Sequence, residues 1–155
     1  MTMQQDDVHV PQSPPHGSSW DEWARWAEGM PVSRRIGLRC LQIEAGRVVV
    51  EMKRSDWPLN PNGAVHGGAL VACADQVLGI VTMTMLAPST LPATASISAD
   101  YLRPAFPPLT FEAVVDRIGA SMSFVTVLVR DRTGKLTTKV HGTLVLDGSS
   151  RHLAG

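Results

Sequence analysis

Asn60-Pro61-Asn62-Gly63-Ala64-Val65-His66-Gly67-Gly68-Ala69-Leu70-Val71-Ala72-Cys73-Ala74-Asp75 is the stretch on which the reading of this chain turns. It opens on Asn, Pro and Gly, the residues of tight turns. An apolar run then extends from Ala69 to Leu86, interrupted only by Asp75, Gln76, Gly79, Thr82 and Thr84. A run of that length reads as a helix and is too long for one strand. Gly67 and Gly68 then fall at the helix N-terminus, where the first N–H groups lack helical partners and the dipole end is positive. Such an end can hold a developing oxyanion, and glycine lets a substrate carbonyl approach the backbone. Asp75 lies about two turns further in, too deep to be a cap. A carboxylate inside an apolar helix is costly unless something uses it.

Working outward, two strands precede this helix, over residues 36–44 and 47–53, joined at Ala45-Gly46. Val48, Val50 and Met52 alternate with Val49, Glu51 and Lys53, the pattern of a half-buried strand. Four more strands follow, over 93–102, 109–118, 122–131 and 135–147. Gly119-Ala120-Ser121 and Arg132-Thr133-Gly134 mark hairpin turns between them. A helix apolar on all sides is a buried one. One curved antiparallel sheet wrapped around it makes an α+β fold.

The remaining segments are quieter. Residues 1–19 hold Pro11, Pro14, Pro15 and Gly17 with little apolar material, and read as a disordered leader to a single domain over 20–155. Ser18 or Ser19 can cap a short helix from Trp20 to about Glu28. Trp20, Trp23, Trp26 and Ala27 share one face of it, for packing onto the domain or for lining a pocket. Cys40 and Cys73 are distant in sequence and form no CxxC, so they read as reduced, buried thiols.

Composition bounds the function. The 155 residues are 44% hydrophobic and 18% charged, with zero formal net charge, which argues against a nucleic-acid or acidic-membrane partner. No apolar signal segment precedes Asp6 and Asp7. The long apolar run approaches a membrane span in length, but Asp75 near its middle would cost about 2.5–3.5 kcal/mol on insertion. A cytoplasmic protein without membrane contact is expected. No His or Cys pair has metal-ligand spacing, no serine sits in a Gly-x-Ser-x-Gly setting, and neither metal nor cofactor is expected.

Asn60, Gly63, His66-Gly67-Gly68 and Asp75 stand in the pattern N-x2-G-x2-H-G-G-x6-D. With the downstream Tyr101-Leu102-Arg103-Pro104, this assembly resembles the hotdog-fold acyl-CoA thioesterases of the phenylacetate-pathway (PaaI-type) family. The likeness spans roughly residues 30–147. It implies the hotdog fold, one sheet around a central helix, in agreement with the element order.

The resemblance also implies roles. The Gly67 N–H would donate to the oxyanion, and Asn60 would add a side-chain N–H to the same carbonyl. Asp75 would act as nucleophile or as general base to a water. Thr94 would hold the attacking water or the carboxylate, and His66 would orient the loop. Gly68, Gly79 and Arg103 are candidates for contact with substrate. The partners implied are an acyl-CoA and a second copy of the chain, as homodimer or homotetramer, with the active site between subunits.

Each residue also has a plain structural reading: Asp75 a buried carboxylate held by backbone donors, Asn60 a turn residue, Thr94 an ordinary strand position, His141 a surface histidine. One observation favours function. Gly68, Ala72, Asp75, Gly79 and Thr82 share a helix face, and small residues beside a carboxylate leave room for a substrate or another subunit. Two rivals share the fold: a hydratase or dehydratase, and a non-catalytic acyl-CoA or acyl-carrier binder.

Overall fold

The computed structural model describes residues 13–53 and 57–147. In chain order these form α1 (Trp20–Gly29), α2 (Pro31–Ile36), β1 (Leu38–Glu44), β2 (Arg47–Met52), α3 (Gly67–Met83), β3 (Leu91–Tyr101), β4 (Leu109–Ile118), β5 (Met122–Arg130) and β6 (Leu136–Asp147). The six strands make one antiparallel sheet in the order β1-β2-β4-β5-β6-β3. This is the curved sheet around a helix expected from the sequence, an α+β hotdog fold.

Alternation in the strands decides which face meets the helix. Val48, Val50 and Met52 on β2, Phe111 and Ala113 on β4, and Val125, Val127 and Val129 on β5 are all buried. Against them α3 sets Leu70, Cys73, Ala74, Val77, Leu78, Ile80 and Val81. Burial of each large aliphatic side chain contributes about 1.5–3 kcal/mol. The approach is close at β6: a Cβ on Gly142 would lie 2.3 Å from Leu78 Cδ1, so Leu78 rests on bare strand backbone. The C-terminal end of α3 is tied to the β1–β2 turn, where the Gly46 N–H donates to Thr84 Oγ1 at 3.0 Å.

One element escapes the periodicity reading. The sequence expectation runs a strand from residue 36, whereas α2 occupies residues up to Ile36 and β1 begins at Leu38. Pro31 opens α2 and Gly37 ends it in the left-handed conformation, φ 74°. That pairing of initial Pro with terminal Gly is a readable signal. The long helix is also shorter than expected, ending at Met83 with turns over 84–86.

The α1–α2 unit caps the β1 end of the sheet. Ser19 caps α1, its hydroxyl accepting from the Glu22 N–H at 3.3 Å. Trp23 and Ala27 are buried in the core while Trp20 is exposed. Glu28 Oε1 accepts the Cys40 N–H at 2.7 Å, and Gln76 Nε2 of α3 donates to the buried Ser33 Oγ at 3.0 Å. Trp23 serves packing, lying between Trp20, tilted against it at 5.8 Å, and Trp26, edge-on at 5.6 Å, while the exposed Trp20 lines an open hollow with Ala24, Cys40 and Ile43. Of the expected leader, residues 1–12 lie outside the described residues. Over 13–19, Pro14 is buried and His16 meets the Trp23 ring edge-on at 5.2 Å.

Both cysteines are free. Burial, then the nearby Glu28 carboxylate, pushes the Cys40 thiol up to about 11, with the Gln42 backbone pulling partly back. Cys73 is raised well above the usual thiol value by burial alone. No described helix is long and apolar enough to cross a membrane.

Candidate functional site

The loop before α3 is built from its own polar groups. Asn60 Oδ1 accepts the Asn62 N–H at 2.9 Å and the Ala64 N–H at 3.2 Å, and the Asn60 backbone closes the turn by bonding Ala64 O at 2.7 Å. Two outside bonds then set the loop's exit: Val65 N–H to Ala105 O and His66 N–H to Pro58 O, both 2.8 Å. With its oxygen so engaged, the Asn60 side chain has only its NH2 to offer a ligand. Asn60 is thus both a turn residue and a potential donor.

His66 is the N-cap of α3, its Nδ1 accepting the Gly68 N–H at 3.1 Å. Acceptance requires a lone pair on Nδ1, so the ring proton sits on Nε2. The Gly68 amide is therefore committed to the cap. The Gly67 amide, ahead of it, is one of the four a helix leaves without an internal partner. Asn60, Gly67, Tyr101, Leu102, Arg103 and Phe106 line an open cleft of about 660 Å³. Across the helix start, Trp57, Leu59, His66, Gly68 and Ala72 line a second hollow of about 460 Å³.

Asp75 departs from expectation. It is exposed, as are Gly68 and Ala72 on the same stripe, while Gly79 is half-buried and Thr82 fully buried. The sheet covers only one side of α3, so the apolar run does not enclose its carboxylate. Thr94 on β3 donates its hydroxyl to Asp75 Oδ1 at 2.7 Å. That contact depends on an irregularity. Thr94 pairs with the buried Leu144 of β6 and Ser96 with Thr143, with the register shifting between them. Directly opposed residues share a face, so the extra residue Ala95 turns Thr94 toward the helix while Ser96 points outward. Bulges re-aim side chains in this way.

Two groups of expected residues thus emerge. Asn60, Gly67 and Arg103 meet at one cleft; His66 and Gly68 flank it; Asp75 and Thr94 form a separate pair. Gly67 and Asp75 are eight positions apart on one helix, about 12 Å along its axis. Arg103 is exposed, its backbone N–H held by Thr137 O at 3.2 Å. His141 is exposed on β6, its Nδ1 3.3 Å from Thr126 Oγ1, and joins neither group. A residue without an expected role does join: the Tyr101 hydroxyl donates to the Gly67 carbonyl at 2.8 Å. It is the chain's only tyrosine, and its place at the end of a strand before Leu102-Arg103-Pro104 was the available signal. Among the described residues no three His, Cys, Asp or Glu side chains are grouped to hold a metal.

Comparison with known proteins places this geometry. Residues 62–138, which include His66, Gly67, Asp75, Thr94 and Tyr101, match the Thioesterase superfamily. A thioesterase from Haemophilus influenzae superposes with a TM-score of 0.77 at 20% identity, covering 87% of this chain and 94% of its own. The PaaI protein of the Escherichia coli phenylacetic acid degradation operon superposes with a TM-score of 0.67 at 22% identity, covering 74% and 86%. A Streptococcus mutans protein bound to acetyl-CoA gives a TM-score of 0.66 at 24% identity, covering 72% and 89%. Sequence match, sheet order and central helix agree: the chain belongs to the thioesterase superfamily and is a hotdog-fold thioester hydrolase.

Proposed function

We propose that the chain hydrolyses acyl-CoA thioesters at a site shared between two copies. The observation that carries this reading is the separation of the Asp75–Thr94 pair from the Gly67 amide. At about 12 Å along one helix, the two cannot act on one carbonyl. An antiparallel α3 from a second copy would bring its Asp75 to the Gly67 end of the first. The exposed stripe of Gly68, Ala72 and Asp75 offers the close approach this needs. Strand β3, at the sheet's edge and exposed along most of its length, is an unpaired template for the same partner.

At such a site the Gly67 N–H and the Asn60 NH2 donate to the thioester oxygen as it gains charge, the largest single contribution in acyl transfer. The Asp75 carboxylate, aligned through Oδ1 by Thr94, either attacks the carbonyl carbon or takes a proton from an attacking water. The tetrahedral intermediate then collapses and the C–S bond breaks; in the water route CoA leaves as the thiol with that proton, and in the direct route it leaves as the thiolate, which takes its proton from the water of the second step. In the first route an acyl–Asp75 anhydride forms, and a water hydrolyses it. The two clefts flanking Gly67 take the acyl and pantetheine arms, and Arg103 at the rim is a candidate for polar contact with substrate. The acetyl-CoA held by the Streptococcus mutans protein supports CoA as the carrier.

The test is thiol release from aryl-acetyl-, benzoyl- and fatty acyl-CoA, with light scattering on the same sample. Turnover on at least one substrate, by a dimer or larger species, is expected. Full activity from a monomer at micromolar concentration would sink the shared site, and tight acyl-CoA binding without thiol release would make the protein a binder.

A further inference from the structure

Two side chains from distant parts of the chain hold opposite ends of one peptide unit, the one joining Gly67 to Gly68. Its carbonyl accepts from the Tyr101 hydroxyl at 2.8 Å, and its N–H donates to His66 Nδ1 at 3.1 Å. The unit is planar, so two bonds at its two ends fix its rotation. The preceding unit, which carries the Gly67 N–H, is held at its own carbonyl: His66 O accepts from the Ala69 and Leu70 N–H groups, both at 3.0 Å. Gly67 therefore has both flanking peptides anchored. That matters because glycine has the widest backbone freedom of any residue, and an oxyanion donor must be in place before charge develops.

The Tyr101 ring reinforces the hold. A Cβ on Gly67 would lie 3.1 Å from both Tyr101 Cζ and Oη, so the ring closes directly over the Gly67 backbone. Tyr101 is itself placed firmly. It pairs with Thr138 at the end of β3, and the next two N–H groups, of Leu102 and Arg103, both donate to Thr137 O, at 2.9 and 3.2 Å. At 54% exposure Tyr101 stands outside the core cluster of the described residues.

We infer that Tyr101 is a positioning residue: its hydroxyl, acting through the Gly67 carbonyl, holds the first turn of α3 so that the Gly67 N–H meets the thioester oxygen. The inference rests on the reading above, in which that N–H is the oxyanion donor. The hydroxyl touches backbone and not the reacting atoms, so its loss is felt in kcat and not in ground-state binding.

The experiment compares Tyr101→Phe with the wild-type full chain, using whichever acyl-CoA the wild type hydrolyses best. Phe keeps the ring and removes only the donor. With the donor misplaced but present, kcat is expected to fall about tenfold while KM stays within about twofold. The melting temperature should stay within about 2 °C, and hydrogen exchange at the Gly68 amide should quicken. Wild-type kcat in Tyr101→Phe overturns the inference and leaves the thioesterase reading standing. A loss confined to KM also overturns it, since the hydroxyl would then bind substrate directly. A wild-type protein that releases no thiol from any acyl-CoA overturns the reading, and the inference with it.

Discussion

The two sides of α3 are written in nearly the same alphabet and live in different environments. On one side Leu70, Cys73, Ala74, Val77, Leu78 and Val81 lie against the sheet with 2% exposure or less. On the other, Gly68, Ala72 and Asp75 are open. Hydropathy along the run does not separate them, because Ala and Gly count as apolar wherever they stand. Size separates them in part: the large aliphatic side chains face the sheet, with Cys73 and Ala74 among them, while the open stripe of Gly68, Ala72 and Asp75 carries no large apolar side chain. The buried side determines whether the helix is held at all, and the open side is free to carry chemistry because folding of the single chain does not depend on it.

That contrast can be broken from either side, and the buried side should give the larger effect. Leu78→Ala removes a fully buried side chain from the middle of the core. It should cost about 2–5 kcal/mol in denaturant unfolding, with turnover per folded molecule largely kept. A loss below 1 kcal/mol, as an order of magnitude, would mean that this side of α3 is not the anchor.

On the open side, Asp75→Asn preserves shape and removes charge. Turnover should fall by at least about 100-fold, the low end for a positioned acid–base group. Stability should move by less than about 0.5 kcal/mol, as for exposed positions generally. Wild-type turnover in this variant would remove Asp75 from the mechanism. A large stability loss would return it to a structural role.

The smallest expected effect sharpens the packing half of the comparison. Gly142→Ala places a methyl where Leu78 already sits, and overpacking of this kind costs about 1–3 kcal/mol. In a Leu78→Ala background the same methyl enters vacated space. The double variant should then be more stable than the sum of the two losses, measurable as a coupling of about 0.5–3 kcal/mol. Strict additivity would show that the two residues do not share the contact.

Much of the architecture was legible without coordinates, for reasons that are local. The strand alternation in Val48, Val50 and Met52, the turn at Ala45-Gly46 and the length of the run after Gly68 are short-range patterns that backbone geometry reads directly. So was the turn before α3, since Asn60 bonds within four residues of itself; the His66 cap is equally local but was not read, because histidine is not among the usual capping residues. The six residues of α2 were hidden because one and a half turns is too short for periodicity to register; only Pro31 and Gly37 mark them.

By itself, then, the sequence determined the order of the six strands and the central helix and the turn that launches α3. The tertiary structure alone decided how they are deployed. Asp75 is exposed because a single sheet covers one side of a helix. Thr94 reaches it only because a bulge at Ala95 reverses the strand's parity, a matter of pairing with β6 that β3 does not encode alone. Tyr101 meets Gly67 across 34 positions, and Leu78 meets Gly142 across the core. Such contacts are set by which faces the folded sheet and helix present to each other, and no pattern confined to one segment contains that information.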